Sequence, residues 1–259
     1  MSKIKLSREY PYLYETHLHT SQSSACAKYT GAEMAKVCKK EGYTGIIVTD
    51  HNWGGNTAVN RRLPWQEWVN EFSKGYEDAK RVGDKIGLDV FFGYEAGFSA
   101  TEFLIYGLTK DFMLTTPELR SASVEEQYQI VHEANGMVIH AHPFREEFYI
   151  PEVRLFPEFV DGVEGINATH SNLRAGGLTK TIFDERAIEY AKKHNFPMTA
   201  GSDIHTTDLL GGGMAFKRKL SSIEDFIEAV LSKEDYALTN GDNWYTKSGE
   251  LIEKIETIM

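Results

Sequence analysis

The chain has 259 residues, 41% of them hydrophobic, and a formal net charge of −10. That length is usual for one α/β barrel domain and excludes a small stapled module, so a single domain over 1–259 is expected. The negative field argues against general binding to nucleic acid or to an anionic membrane, although bound metal ions could still attract a phosphate locally.

In chain order, the first predicted strand is Tyr12 to Thr16, running into His17. A helix opens at Thr30-Gly31-Ala32-Glu33, with Thr30 as cap and Glu33 three residues on. Met34, Val37 and Cys38 share one face, and Gly42 ends the helix. Gly45 to Thr49 is a continuous apolar run of buried-strand type that stops at Asp50-His51-Asn52. A loop to about Pro64 precedes one helix from Trp65 to Ile86. Leu88 to Phe92 is the third strand and leads to Glu95, and Phe103 to Tyr106 is a further strand. Ser123 to Asn135 reads as a helix closed by Gly136. Met137 to Ile139 then delivers His140 and His142, and Val163 to Ile166 delivers Asn167. A helix from Phe183 to His194 is followed by a strand, Phe196 to Ala200, that delivers Asp203. Gly211-Gly212-Gly213 reads as a flexible loop, and a helix from Ile223 to Leu231 and a strand from Tyr236 to Leu238 complete the pattern. Strands alternating with helices predict a parallel sheet, with functional groups on the rim where the strands end.

No apolar run approaches the roughly 20 residues needed to span a bilayer, and the first residues lack the apolar core of a signal peptide. Cys26 and Cys38 form no disulfide framework. A soluble cytoplasmic protein is the expectation.

Six groups of metal-type ligands follow the apolar runs: His17 with His19, Asp50 with His51, Glu95, His140 with His142, Asn167 with His170, and Asp203 with His205. In extended chain, residues i and i+2 point the same way, so His17 and His19, His140 and His142, or Asp203 and His205 could each share an ion. Imidazole and carboxylate suit zinc, manganese or iron, and a lone carboxylate such as Glu95 can bridge two ions. Two such ions can clamp a phosphoryl oxygen during in-line displacement, and Arg145 could add a bidentate grip on the phosphate.

These motifs together resemble the PHP (polymerase and histidinol phosphatase) family of metal-dependent phosphoesterases. The pieces that carry the likeness are Thr16-His17-Leu18-His19-Thr20-Ser21, Thr49-Asp50-His51, Gly93-Tyr94-Glu95, Ala141-His142-Pro143-Phe144-Arg145 and Gly201-Ser202-Asp203-Ile204-His205. The resemblance implies a distorted seven-stranded (β/α)7 barrel, TIM-barrel-like, with two or three divalent ions (Mn, Zn or Fe) at the C-terminal ends of its strands. It implies that His17, His19, Glu95 and Asp203 surround one ion, that Glu95 and His142 bind a second, and that His51 and His205 contribute to a third. Two places depart from the family pattern. Where a further His or Asp usually follows the first pair, only Cys26 is a strong ligand. Where a histidine usually follows the glutamate, this chain has Glu102.

The implied activity is that of a phosphatase on a small phosphomonoester, a nucleotide, sugar phosphate or histidinol phosphate-like compound, acting through metal-activated hydroxide. Arg145 would steady the transition state, and His51 or His205 would protonate the leaving group. Competing readings stand beside several of these residues. Asp50 could orient a ligand, His140 could be a core histidine, Glu102 or Cys26 could ligate, and His170 could contact substrate or only its own loop. Trp65 and Trp68 read as packing. Two rival functions remain: an amidohydrolase cleaving C–N or C–O bonds, which would release no phosphate, and a metal-binding regulatory domain, which would show no turnover. Specificity would come from the loops Asn52–Pro64, Glu146–Pro157 and Ser171–Lys180.

Overall fold

The structure is a computed structural model that describes residues 4, 6–172, 180–207 and 210–258. Its N-terminal part comprises β1 (Leu6–Ser7), β2 (Tyr12–Leu18), α1 (Gly31–Glu41), β3 (Gly45–Val48), α2 (Trp65–Phe72) and α3 (Lys74–Ile86). Then come β4 (Asp89–Phe98), β5 (Thr101–Tyr106), α4 (Lys110–Thr115), a 3-10 turn at Pro117–Arg120 and α5 (Val124–Glu133). Next are β6 (Met137–His140), β7 (Gly162–Asn167), α6 (Ala168–Ser171), α7 (Thr181–His194) and β8 (Met198–Gly201). The chain finishes with β9 (Gly212–Phe216), α8 (Ile223–Leu231), β10 (Tyr236–Asn240), β11 (Trp244–Thr246) and β12 (Thr257–Ile258).

Local chemistry accounts for these boundaries. Thr30 and Glu33 form a reciprocal capping box on α1, and Gly42 ends it at φ 108°. Ser123 and Glu126 do the same for α5. Every residue of β3 is buried, as its apolar run requires. The single helix expected over Trp65 to Ile86 is two helices. Ser73 stands between them and turns its hydroxyl back to the Val69 carbonyl at 2.8 Å, a bond that competes with the regular ladder. Trp65 and Trp68 are buried and packed against one another, as expected of a core face.

The sheet is a mixed α/β half-barrel of ten strands in the order β11-β10-β9-β2-β3-β4-β5-β6-β7-β8. The expected parallel pairing holds for β2 with β3, β3 with β4, β6 with β7 and β7 with β8. It fails at β5, which runs antiparallel to both β4 and β6. Only Ser99 and Ala100 separate β4 from β5, both at positive φ (49° and 68°), so the chain reverses in a hairpin with no room for a crossover helix. The glycine loop expected at Gly211 to Gly213 also proves to be partly strand. β9 runs antiparallel to β2, and a Cβ on Gly213 would stand 2.3 Å from the Tyr14 carbonyl oxygen, so only glycine allows that approach. The ladder is therefore not the expected seven-stranded β/α repeat. Beyond β8 the sheet curls back, and Ile204 stands opposite Leu18, accepting from the His19 N–H at 3.0 Å and donating its own N–H to the His17 carbonyl at 3.1 Å.

The six strands β2, β3, β4, β6, β7 and β8 consequently share one direction and end on one side. Among the described residues, no helix is long and apolar enough to cross a membrane. Most of the predicted loop Ser171–Lys180 lies outside the described residues.

Candidate metal centre

Shared strand direction brings the separated ligand motifs together. His17 lies in β2 and Glu95 in β4, while His51, His142 and Asp203 follow β3, β6 and β8 by two or three residues. Each of β2 and β7 carries one extra residue against its neighbour, between Glu15 and Leu18 and between Glu164 and Ile166. Such bulges re-aim side chains beside sites. His142 and Asp203 hold positive φ (27° and 52°), a backbone cost of order 1–3 kcal/mol each that suits functional positions. Glu102 arrives from the opposite direction, at the start of the reversed β5, where it pairs with Gly97.

Four overlapping sets have ligand atoms within 4.8 Å of one another: His17, His19 and Asp203; His17, Glu95 and His142; His51, Glu95 and Glu102; and His19, His51 and His205. His19 Nε2 lies 3.2 Å from Asp203 Oδ1 and 3.5 Å from Glu95 Oε2. His17 Nε2 lies 3.3 Å from Glu95 Oε1 and 3.5 Å from Asp203 Oδ1. An ion about 2.1 Å from each of four tetrahedral ligands would separate neighbouring ligand atoms by about 3.4 Å. The observed separations match that shell. His17 Nε2, His19 Nε2, His51 Nδ1 and Glu95 Oε2 are buried and make no hydrogen bond of proper geometry. Buried polar atoms are rarely left this way, so the donor set fits divalent metal.

The outer hydrogen bonds decide which ring nitrogen faces the centre. His17 Nδ1 lies 2.8 Å from Glu164 Oε1. The Ser24 hydroxyl donates to Asp50 Oδ1 at 2.6 Å, so its oxygen can only accept from His19 Nδ1 at 3.1 Å. His205 Nδ1 lies 2.8 Å from the Asp203 carbonyl oxygen, which can only accept. Each ring thus carries its hydrogen on Nδ1 and turns Nε2 to the centre, the arrangement metal-ligating histidines use.

Charge follows the same plan. Burial opposes a charge on His17, but Glu164, Asp203 and Glu95 outweigh it and hold its pKa well above the ordinary value. Burial together with His51 and His205 pushes His19 well below. Burial would raise Glu95, yet His51 and His17 keep it well below the carboxylate range. For Asp203, Arg145, His17 and His205 overcome burial in the same sense. Burial, then Glu95, pushes Glu102 up to about 7.

The other predicted residues are placed as follows. Asp50 faces no ligand set. Its carboxylate accepts from the Thr20 N–H and the hydroxyls of Thr20 and Ser24, and so shapes the loop that holds His19. Glu102 stands 3.6 Å from both His51 Nδ1 and His142 Nε2. Burial would raise the Cys26 thiol, yet its neighbours His205 and His51 bring its pKa down to about 6, and the thiol belongs to none of the four ligand sets. His140 and His142 do not face the same way. The positive φ at His142 breaks the extended run, and His140 stacks on Phe103 at 5.0 Å, outside every ligand set. Arg145 is bonded through Nη2 to Asp203 and through Nε to His170 Nε2 at 3.0 Å. His170 has both ring nitrogens engaged, the other by Asp184 at 3.0 Å, so it offers neither to a substrate.

Three buried carboxylates escaped the sequence reading. Glu164 holds His17 and accepts from the His142 N–H at 3.0 Å. Glu15 accepts from the N–H groups of His17 and Ser202, and burial pushes its pKa up to about 7. Asp184 holds His170. A signal was available for the first two, since an acidic residue inside a buried strand such as Gly162–Asn167 needs a partner.

With this geometry in hand, comparison with known proteins is informative. The PHP-associated family profile (PHP_C) matches residues 182–234, the stretch from α7 to α8 that contains Asp184, Asp203 and His205. A two-domain protein from Bacteroides vulgatus containing a predicted PHP-like metal-dependent phosphoesterase superposes with a TM-score of 0.64 at 14% identity, covering 92% of this chain and 68% of that one. A metal-dependent phosphoesterase candidate from Bifidobacterium adolescentis gives 0.52 at 16% identity, covering 85% and 96%. An amidohydrolase from Chromobacterium violaceum, solved with sulfate and no metal, gives 0.51 at 15%, covering 74% and 87%. In sequence, an uncharacterized protein (MJ1587) of Methanocaldococcus jannaschii is 28% identical over 156 residues, 60% of this chain and 74% of that one. Residues 182–234 are thus similar to the PHP-associated profile, and the superposed structures share this chain's fold.

Proposed function

We propose that the chain is a metal-dependent phosphatase acting on a small phosphomonoester such as a nucleotide, a sugar phosphate or a histidinol phosphate-like compound. The observation that carries this reading is the shell of buried, unpartnered imidazole and carboxylate atoms spaced as ligands of adjoining ions. His17, His19, Glu95 and Asp203 would hold one ion, Glu95 and His142 a second with Glu102 beside them, and His51 and His205 a third with the Cys26 thiol beside them. Bound there, divalent manganese, zinc or iron supplies Lewis-acid activation of water and neutralises charge on the phosphoryl group.

The chain's own residues do the rest. Arg145 borders a small cleft that is also lined by Glu102, His142 and Arg154. Among the described residues its Nη1 makes no protein hydrogen bond, so its guanidinium can grip a phosphate oxygen and steady the charge that develops in transfer. Where no third ion occupies it, His205, whose pKa Asp203 and Cys26 raise to about 9 against burial, would give a proton to the leaving alkoxide, with His51 as its neighbour in that role.

The test is phosphate release from a panel of sugar phosphates, histidinol phosphate and nucleotides. Metal-stripped protein is resupplied with manganese, zinc or iron(II) beside a folded His19→Ala control. Metal-dependent turnover that the control lacks supports the reading. The likeness to the sulfate-bound amidohydrolase favours one second reading, cleavage of a C–N or C–O bond. Hydrolysis of amides or lactones without phosphate release would establish that instead.

A further inference from the structure

Among the described residues, one buried ionisable pair near the centre has no part in the ligand shell. Asp184, in the first turn of α7, is 6% exposed, and His170, in α6, is 2% exposed. Asp184 Oδ1 lies 3.0 Å from His170 Nδ1, and His170 Nε2 lies 3.0 Å from Arg145 Nε. The protonation of this chain can be deduced from its far end. An arginine Nε–H can only donate, so His170 Nε2 must present its lone pair. The ring is then neutral with its hydrogen on Nδ1, and that hydrogen goes to Asp184.

Asp184 is itself held for this purpose. The Asn167 N–H donates to Oδ1 at 3.2 Å and the Ser171 hydroxyl to Oδ2 at 2.7 Å. Burial raises the Asp184 pKa, while His170 and Ser171 act to lower it. At the other end Arg145 has its Nε and Nη2 committed, to His170 and Asp203, while its Nη1 has no hydrogen-bond partner among the described residues. Two fixed points on a planar guanidinium set its orientation. Without the acceptor at Nε, only the bond to Asp203 would remain, and the plane could turn about it.

We propose that His170 and Asp184 are positioning residues for Arg145. Asp184 locks His170 in the Nδ1–H tautomer, and the bare Nε2 of His170 aims the guanidinium at the substrate phosphate. The proposal rests on the phosphatase reading for its last step, the arrival of phosphate. The tautomer and the orientation of Arg145 stand apart from it. A conventional His–Asp pair that merely ties α6 to α7 would stabilise the fold without acting through Arg145.

The experiment uses the full chain loaded with zinc, which is diamagnetic. Nitrogen-15 spectra of the histidine rings, with the His170 signals assigned by their loss in His170→Gln, read the tautomer directly. Hydrogen on Nδ1 alone is expected in the native protein. Hydrogen on Nε2, or on both nitrogens at neutral pH, overturns the proposal.

Steady-state kinetics on the best phosphomonoester then test the link to Arg145. Asp184→Ala and His170→Gln should each raise KM about tenfold, with kcat altered less and zinc content unchanged. Asp184→Asn should restore most of the loss, because the Asn167 N–H keeps the amide oxygen on the His170 side. In an Arg145→Ala background, Asp184→Ala should add nothing further, whereas fully multiplicative effects overturn the proposal. If the native protein hydrolyses no phosphomonoester, the phosphatase reading fails by itself. The ring spectra and the affinity for inorganic phosphate then decide the positioning role, and phosphate binding that is insensitive to both variants rejects it.

Discussion

Replacing Glu164 by glutamine should weaken metal binding, although Glu164 faces no ion. Its two oxygens have different duties. Oε2 accepts from the His142 N–H at 3.0 Å and from Asn167 Nδ2 at 3.1 Å, while Oε1 accepts from His17 Nδ1 at 2.8 Å. In Glu164→Gln the amide oxygen must take the side with two donors. The amide NH2 then meets His17 Nδ1, and two donors cannot face each other. His17 can accept that hydrogen bond only by moving its own hydrogen to Nε2, the nitrogen that faces Glu95 and Asp203. A protonated Nε2 cannot ligate. Loss of such an outer partner typically lowers metal affinity by about 10–100-fold, which is about 1.4–2.7 kcal/mol. The assay is competition for zinc against a chromophoric chelator, followed by thermal melting of the zinc-loaded protein. Loaded stability should fall with the affinity, because stabilisation by a ligand depends on its concentration relative to Kd. A Glu164→Gln protein with the zinc affinity of the native chain would refute the tautomer argument.

Other consequences are checked more briefly. Cys26→Ala should abolish the thiolate-to-metal charge-transfer absorption of the cobalt-substituted protein and reduce the cobalt bound, since the thiol bonds to both His51 and His205. An unchanged spectrum would place Cys26 outside the centre. Gly31→Ala would set a Cβ 2.0 Å from the Gly75 carbonyl oxygen and 2.9 Å from the Ala79 nitrogen, so α1 and α3 would have to part. We expect a loss of about 1–3 kcal/mol in urea unfolding, with metal content at the remaining folded centre unchanged.

The clustering of the candidate ligands was legible in the sequence because strand ends impose a simple rule, one short motif after each apolar run. That rule brings Glu95 and His142 into one set and Asp203 into another, the two joined at His17, across gaps that no local pattern could bridge. It failed where the backbone leaves the extended form. At His142 the positive φ separates its ring from that of His140, so an i, i+2 argument misleads. It also failed for partners defined only by tertiary contact. Nothing near Asp184 on its helix announces that it will meet His170 across α6. The mixed sheet was missed because the reversal at Ser99-Ala100 is short and lacks a Gly or Asn turn signal. Helices with local caps, such as α1 and α8, were the easiest to see, since their ends are written in adjacent residues.

The centre also sets how stability depends on pH, and metal should reverse the trend. In the metal-free protein His205 has its pKa raised from 6.5 to about 9, with Asp203 and Cys26 overcoming burial. His17 and His51 are held well above their ordinary value by their carboxylate neighbours, against burial. A group whose folded pKa is raised contributes stability that is complete below the unfolded value and is lost as pH rises through the folded one. Below pH 6.5 the balance is mixed. Burial raises Glu15 and Glu102 to about 7 and Asp50 to about 6, which costs stability as pH climbs, whereas burial lowers His140 to about 3, which has the opposite sign. Above 6.5 the three raised imidazoles and the last of the raised carboxyls act in that same sense and outnumber the Cys26 thiol, whose pKa, brought from 9 down to about 6, acts against them. Metal-free stability should therefore fall from pH 6.5 to 9, with His205 alone accounting for at most about 3 kcal/mol. Metal must displace those same protons, so its binding strengthens as pH rises. Urea unfolding of stripped and zinc-loaded protein across this range should show the two stabilities diverging. A stripped protein whose stability is flat or rising there would mean that the imidazoles do not carry these protons, and that the cluster is neutral before metal arrives.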